Sequence, residues 1–66
     1  MKIFLNGQSQ TIPENSTAEM LLESLGMQSK RLAVEVNLGI VPRSSFAQYK
    51  LQDGDRVEIV QAIGGG

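Results

Sequence analysis

The sequence predicts an α+β fold, in which a mixed sheet of four or five strands carries one main helix across one face. Three observations predict it. The 66 residues open and close on apolar strand patterns. An amphipathic helix pattern follows the first pair of strands, and two of the five strand patterns are typical of sheet edges. A chain of this length forms one domain, near the lower limit for folding without disulfides or metals.

The first two strands are predicted to form a hairpin. An apolar run over residues 3–5 is followed by Asn6 and Gly7, a pair that tolerates the positive φ angles of a type I′ turn. The returning strand, residues 8–12, is mostly polar and ends at Pro13. A polar strand suits the edge of a sheet better than its centre.

A short helix is predicted over residues 17–25. Ser16 and Glu19 match a capping box, in which the hydroxyl caps the first turn and the carboxylate lies three residues later. Gly26 stands where a left-handed C-cap residue is expected, and Met27 can supply the apolar contact that accompanies it. Four apolar residues recur at the spacing of one helix face: Ala18, Leu21, Leu22 and Leu25.

The third and fourth strands follow the helix. Leu32, Val34 and Val36 alternate with less apolar residues, which indicates one buried face. Residues 37–39 form a turn. The fourth strand begins at residues 40–41 and is short, because Pro42 cannot continue a central strand. It therefore also belongs at an edge.

The remaining segment is predicted to be a single helical turn and a loop, a turn at Asp53-Gly54, and a last strand over residues 56–63. Phe46, Tyr49 and Leu51 can close the open end of the core. With two strands assigned to the edges, the first and last strands can lie side by side and parallel, and the helix then crosses one face. This arrangement is the β-grasp, an α+β architecture.

Composition excludes several classes of function. The 66 residues contain no cysteine and no histidine, which removes thiolate metal sites and the usual general base. The net charge of −1 argues against binding to nucleic acid. No apolar run approaches the ~20 residues of a membrane helix, and no secretory signal is present. We expect a small cytoplasmic domain, poorly equipped as a free-standing enzyme, with no metal and no bound cofactor.

The sequence ends in "QAIGGG". We expect a β-grasp domain over residues 1–63 and a flexible glycine tail over residues 64–66. Glycine has a large ordering cost and no side chain to pack. Either the three glycines have no function, or the end of the chain is its working part. Composition alone leaves both interpretations open.

The whole chain resembles the thiamine-biosynthesis sulfur-carrier family, small ubiquitin-like β-grasp proteins. The resemblance rests on "MKIFLNG", "TAEMLLESLG", "VEVNLGIVPRS", "LQDGDRVEIV" and the terminal Gly-Gly, in this order. Each motif is weak by itself, and the five together are specific. The family pattern requires the last two glycines, which correspond to Gly65 and Gly66. Gly64 lies where other small residues also occur.

The resemblance implies a carrier that partner enzymes modify. An E1-like, ThiF-type enzyme would use ATP and Mg²⁺ to adenylate the carboxylate of Gly66. Sulfur from a donor enzyme would then replace the adenylate and leave a thiocarboxylate, whose sulfur enters the thiazole ring on a ThiG-type thiazole synthase. Gly64 and Gly65 would thread the narrow channel of the partner.

Two other functions stay open. The same terminus and chemistry would serve a molybdopterin-synthesis carrier or a protein modifier, although the compactness of the chain and the "VPRS" stretch favour the thiamine carrier. A function of another class, a non-catalytic β-grasp binding module such as an RNA-associated one, is disfavoured by the near-neutral charge and the bare Gly-Gly end.

Alternation along the outer strands predicts a docking surface. If Ile3 and Leu5 face the helix, Phe4 faces away from it. By the same rule Val60 and Ala62 face away on the last strand. Parallel pairing would bring Phe4 and Val60 together, with Ala62 leading to the tail, and a clustered apolar patch favours docking of a partner. Three polar residues are interpreted as solvated surface or turn rather than as a functional site: Arg43, Asp53 and Asp55.

Overall fold

The structure is a computed structural model that describes residues 1–61. Its elements in chain order are β1 (Lys2–Leu5), β2 (Gln8–Thr11), α1 (Ala18–Ser24), β3 (Leu32–Val36), β4 (Gly39–Val41), a 3₁₀ turn (Arg43–Ser45) and β5 (Arg56–Gln61). The five strands form one sheet in the order β2-β1-β5-β3-β4. β1 and β5 are parallel, and the other neighbouring pairs are antiparallel. The predicted mixed sheet, its central parallel pair and its two edge strands are confirmed.

The first turn has the geometry that Asn6 and Gly7 predict. Their φ angles are 48° and 83°, both in the left-handed region that a type I′ turn requires. The side chain of Asn6 also reaches β5, because its Oδ1 accepts a hydrogen bond from the Ile59 N–H at 2.9 Å and its Nδ2 donates to the Ile59 C=O at 3.4 Å. β1 ends at Leu5, so this amide replaces the next residue of the strand.

The start of α1 corrects the predicted capping box. Thr17, not Ser16, is the N-cap, and its Oγ1 accepts a hydrogen bond from the Met20 N–H at 3.1 Å. Thr17 has an extended backbone and forms a β-bridge with Lys50, which delays the helix by one residue. Ser16 is buried, and its hydroxyl donates to the Pro13 C=O at 2.7 Å.

The end of α1 is closed as the sequence predicts. Gly26 has a φ of 71°. Its N–H donates to the Glu23 C=O at 3.0 Å, and the Met27 N–H donates to the Leu22 C=O at 2.9 Å. These two bonds form a Schellman motif, and Met27 packs against the core as its apolar contact. The carbonyl groups of Leu22 and Glu23, in the last turn of the helix, are therefore paired.

The core lies between α1 and one face of the sheet. The predicted plug residues Phe46 and Leu51 are buried, and Tyr49 packs against them. Leu25, predicted on the buried face of α1, is 39% exposed at the end of the helix. The core cluster consists of Ile3, Ala18, Leu21, Leu22, Val34, Val36, Val41, Phe46, Leu51, Val57 and Ile59. One face of the sheet is thereby covered, and the other carries the exposed positions.

Candidate functional site: the open face and the end of β5

The sheet face opposite α1 is called the open face. Ile3, Val34 and Val57 point into the core and are almost completely buried, so the residues that alternate with them point outward. The open face includes Phe4, Ala33, Glu35, Ile40, Arg56, Glu58 and Val60. Of these, Ile40 is 74% and Val60 is 60% exposed. The open face therefore has apolar side chains that are exposed to solvent beside charged ones.

Phe4 lies at one end of the open face. It is 38% exposed, as the alternation predicts. Its partner in register on β5 is Arg56, whose guanidinium carbon lies 5.8 Å from the centre of the Phe4 ring. This is the range of a cation–π contact. A concavity of about 490 Å³ adjoins the pair and is lined by Phe4, Asn6, Gly7, Arg56, Val57 and Glu58.

The predicted contact between Phe4 and Val60 is wrong. Because Phe4 is in register with Arg56, Val60 lies four residues further along β5, or ~13 Å at the usual rise of a strand. The cross-strand neighbour of Val60 is Ala33 on β3. The facing predicted for each residue is confirmed, and the parallel register separates them. Phe4 and Val60 thus form two separate apolar points on the open face rather than one patch.

Glu35 and Glu58 lie between these two points. They are directly opposite each other on β3 and β5, an arrangement in which like charges destabilise a sheet. Within residues 1–61, the ion pair found joins the Met1 amino group to Glu14 at 3.2 Å, so neither Glu35 nor Glu58 forms an ion pair in that part of the chain. The centre of the open face is therefore acidic.

A second concavity lies at the Val60 end. It has a volume of about 450 Å³ and is lined by Arg31, Leu32, Ala33, Arg43 and Val60. Leu32 is in register with Gln61, the last residue of β5. The start of β3 therefore lies beside the point from which the chain continues toward its glycines.

The predicted tail residues lie outside the described part of the chain. These are Ala62, Gly64, Gly65 and Gly66. Their assigned roles, as the link to the tail, the channel-threading residues and the modified carboxylate, stay predictions. The structure shows that β5 ends at Gln61, beside the start of β3 and next to the Val60 concavity.

The acidic residues of the last turn accept hydrogen bonds that stabilise the local structure. The Asp53 Oδ1 accepts a hydrogen bond from the Lys2 N–H at 2.8 Å. Asp55 accepts from the Gln52 N–H at 2.8 Å and from the Asn37 Nδ2 at 3.0 Å. Among residues 1–61, no group of three or more metal-binding side chains is found. No helix in the same range is long and apolar enough to cross a bilayer.

A sequence model described as the ThiS family matches residues 3–66 of the chain. The chain belongs to the ThiS family. A curated relative, the sulfur carrier protein ThiS of Escherichia coli, is 38% identical over 66 residues, and the match covers the whole of both sequences. A crystal structure of the thiamine biosynthesis protein ThiS from Geobacter metallireducens is 32% identical, covers both chains fully and superposes with a TM-score of 0.86. The β-grasp fold is thereby confirmed.

Two further relatives are longer enzymes. The thiazole synthase of Paramagnetospirillum magneticum is 50% identical and that of Magnetococcus marinus 41% identical, each over 66 residues. The ThiS-family chain spans about a fifth, 20%, of the length of each. Each of these two proteins named thiazole synthase therefore contains a ThiS-like region.

Three polar residues of this site were missed by sequence reasoning. Alternation with Val57 and Ile59 would have placed Arg56 on the open face. Arg31 gives no such signal, because its neighbourhood depends on the register of β3 with β5. Asn6 also forms side-chain hydrogen bonds to Ile59. The sequence does not indicate this second structural role, because the turn alone explains an asparagine at this position.

Proposed function

We propose that this chain is a sulfur carrier of thiamine biosynthesis, acted on by partner enzymes and not itself an enzyme. The supporting observation is the family match, which runs from residue 3 to residue 66 and includes Gly65 and Gly66. The full-length match to a sulfur carrier protein adds to it. Because the relative and the family are of the ThiS type, the thiamine carrier is favoured over a molybdopterin carrier, a protein modifier or an RNA-associated module.

The carrier group in this proposal is the carboxylate of Gly66. A carboxylate is a poor electrophile, and activation requires a better leaving group. Its oxygen attacks the α-phosphorus of ATP on the adenylating, ThiF-type enzyme, which releases pyrophosphate and forms an acyl-adenylate, with Mg²⁺ as the partner's metal. A sulfur nucleophile supplied by the donor enzyme then attacks the acyl carbon and expels AMP. The 66 residues contain no cysteine, so they cannot hold sulfur as a persulfide.

The glycines suit a narrow partner channel. A phosphoanhydride must be shielded from water, and residues without a Cβ let the backbone pass closely. The five residues after Gln61 span at most ~17 Å when extended. The body of the domain must therefore dock close to the channel entrance before Gly66 can reach the adenylating centre.

The open face is the proposed docking surface. Phe4 and Val60 are exposed apolar residues on it, and Ala62 continues the same alternation toward the tail. Because Phe4 and Val60 lie ~13 Å apart along the strand direction, they form two contact points on either side of the acidic pair Glu35 and Glu58. A partner must match both points and the charge between them.

Thiazole synthase is the proposed acceptor of the sulfur. Support comes from the two thiazole synthases that contain a region similar to all 66 residues. For a separate carrier, the same domain would have to reach the synthase by non-covalent docking. A cytoplasmic location belongs to this proposal, since activation draws on ATP.

The test is intact-mass spectrometry. The protein is purified from its own cell, and separately incubated with ATP, Mg²⁺, the adenylating enzyme and a sulfur donor. The expected product has one oxygen replaced by sulfur, and tandem fragmentation places the change at Gly66. The control lacks Gly66 and should gain no sulfur while it keeps its thermal unfolding curve. Sulfur transfer to the shortened control, or none to the wild type, would contradict the proposed carrier group.

A further inference from the structure

Three cationic residues lie at the end of the sheet where β5 finishes. Lys30 and Arg31 precede β3, and Arg43 follows β4. The register of Leu32 with Gln61 places this group beside the point where the chain continues to its glycines. Arg31 and Arg43 line the same concavity as Val60. The set Lys30, Arg31 and Arg43 is called the basic corner.

Arg43 is held in place by the fold. Its Nη2 donates a hydrogen bond to the Lys30 C=O at 2.7 Å, and its guanidinium carbon lies 5.9 Å from the centre of the Phe46 ring. Phe46 is buried in the core. An arginine has five N–H donors in a planar fork, and this bond uses one of them. Much of the ordering cost of the side chain is therefore met on folding, before any partner binds.

The basic corner differs in net charge from the rest of the molecule, and within residues 1–61 its side chains are not ion-paired. In the part of the chain that the structure describes, none of its three side chains lies at ion-pair distance from a carboxylate. The whole sequence has six basic and seven acidic residues. Outside the corner, the sequence has three basic and seven acidic residues, which give the rest of the side chains a net charge of −4. Half of the positive charge is thus concentrated beside the tail.

We infer that the basic corner docks onto an acidic surface of the adenylating partner, formed by Asp and Glu side chains around the entrance that receives the tail. The inference rests on the proposed function. The five residues after Gln61 reach at most ~17 Å, so the rim of that entrance must lie close to the corner. Arginine forks pair with carboxylates in a bidentate geometry, and Arg43 already has a fixed position.

The shape of the site favours a protein surface over a small anion. Between Arg31 and Arg43 the floor of the concavity is apolar and is formed by Leu32, Ala33 and Val60. A free phosphate is held best where backbone N–H groups converge. An apolar floor between two cations instead resembles a protein interface, in which a dry centre is rimmed by charge.

The experiment measures steady-state adenylation of the whole protein by its adenylating enzyme, followed as pyrophosphate release. The test variant is Arg31→Glu, because Arg31 is exposed. The matched control is Lys50→Glu, which makes the same change in net charge. Lys50 is also exposed and pairs through its backbone with Thr17, at the opposite end of α1 from the corner. Thermal unfolding of both variants verifies that they fold.

Arg31→Glu is expected to raise the KM for the carrier at least tenfold at low salt, equivalent to ~1.4 kcal/mol, with kcat unchanged. An effect on KM alone is the signature of lost docking rather than of altered chemistry. The difference should shrink as salt rises above ~0.1 M, where the Debye length falls to about 10 Å. Lys50→Glu should leave KM within about twofold of the wild type, since surface charges away from the contact are screened.

Other outcomes overturn the inference. Equal increases of KM in both variants would indicate a general effect of net charge, and no increase in Arg31→Glu would remove the corner from the interface. Saturable NMR shifts at Arg31 and Arg43 on titration with inorganic phosphate, without shifts on addition of the enzyme, would assign a small-anion site. A wild-type protein that is not adenylated at all contradicts the proposed function itself, whereas normal wild-type turnover with an unaffected Arg31→Glu contradicts the docking surface alone.

Discussion

The two faces of β5 differ in the burial and in the type of their residues. Val57 and Ile59 point at α1 and are buried, whereas the three residues that alternate with them are exposed: Arg56, Glu58 and Val60. Both buried positions are apolar, because an unpaired polar group in the core would be costly. On the open face an exposed valine and a like-charge pair occur beside each other. The open face therefore carries features that do not help folding, as expected if it is the proposed docking surface.

The core face should be the part that decides stability. Ile3→Ala removes a fully buried side chain from the centre of the sheet and is expected to lower the free energy of unfolding by about 2–5 kcal/mol. The whole domain is stable by only ~3–10 kcal/mol, at the usual stability per residue, so this loss would be a large fraction of its total stability. Urea unfolding measures this effect.

The control for that change is Val60→Ala on the open face, which should stay within about 0.5 kcal/mol of the wild type. Equal losses in Ile3→Ala and Val60→Ala would mean that the two faces of the sheet contribute alike. The distinction between a core face and a docking face would then have no energetic basis.

The next largest effect concerns Asn6, which connects the first turn to β5. Asn6→Gly keeps a residue that accepts a positive φ and removes both side-chain bonds to Ile59. At about 0.5–1.5 kcal/mol for each bond, the expected loss of stability is about 1–3 kcal/mol. Amide hydrogen exchange should accelerate at Ile59 more than at Val34, a buried residue of β3. Unchanged exchange at Ile59 would show that these bonds do not hold β5.

Phe4→Ala tests the open face directly. Because Phe4 is partly exposed and lies outside the core cluster, its removal should change stability by no more than about 1 kcal/mol. Affinity for the adenylating enzyme should fall at least tenfold, or ~1.4 kcal/mol. Urea unfolding and isothermal titration calorimetry measure the two quantities on the same sample.

The two measurements on Phe4→Ala separate the alternatives. A large loss of stability would place Phe4 in the core. Unchanged stability together with unchanged affinity would keep its facing and remove it from the docking surface. Arg56→Gln is a companion variant that removes the cation over the Phe4 ring and leaves the ring in place.

Much of the fold follows from local patterns in the sequence. Alternation gives the facing of Phe4, Val57 and Val60, and turn chemistry gives the hairpin and the Gly26 cap. The N-cap was misplaced by one residue, because two hydroxyl residues adjoin there and the β-bridge of Thr17 with Lys50 decides between them. Such a bridge joins residues 33 positions apart, and local patterns do not report it.

The arrangement of the site depends on register, which the sequence leaves open. The pairing of Phe4 with Arg56 and of Val60 with Ala33 follows from where β1 ends and how β3 aligns with β5. A shift of two residues would keep every side chain on its predicted face and would change every neighbour. For this reason the residues of the open face could be predicted and their contacts could not.

The smallest expected effect concerns the acidic pair at the centre of the open face. Glu35 and Glu58 are directly opposite each other, and like charges in this position cost roughly 0.2–1 kcal/mol. Glu35→Gln should therefore stabilise the domain by about that amount in urea unfolding at low salt. The gain should diminish as added salt screens the exposed charges.

A double-mutant cycle identifies the source of that gain. If repulsion between the two carboxylates is the cause, Glu58→Gln alone should give a gain similar to that of Glu35→Gln, and the double variant should gain no more than either, since one substitution already removes the repulsion. Additive gains would mean that each glutamate is unfavourable for its own reasons. A stabilised Glu35→Gln that binds the adenylating enzyme more weakly would show that the acidic pair is kept for docking at the expense of stability, which is the difference between the two faces of β5.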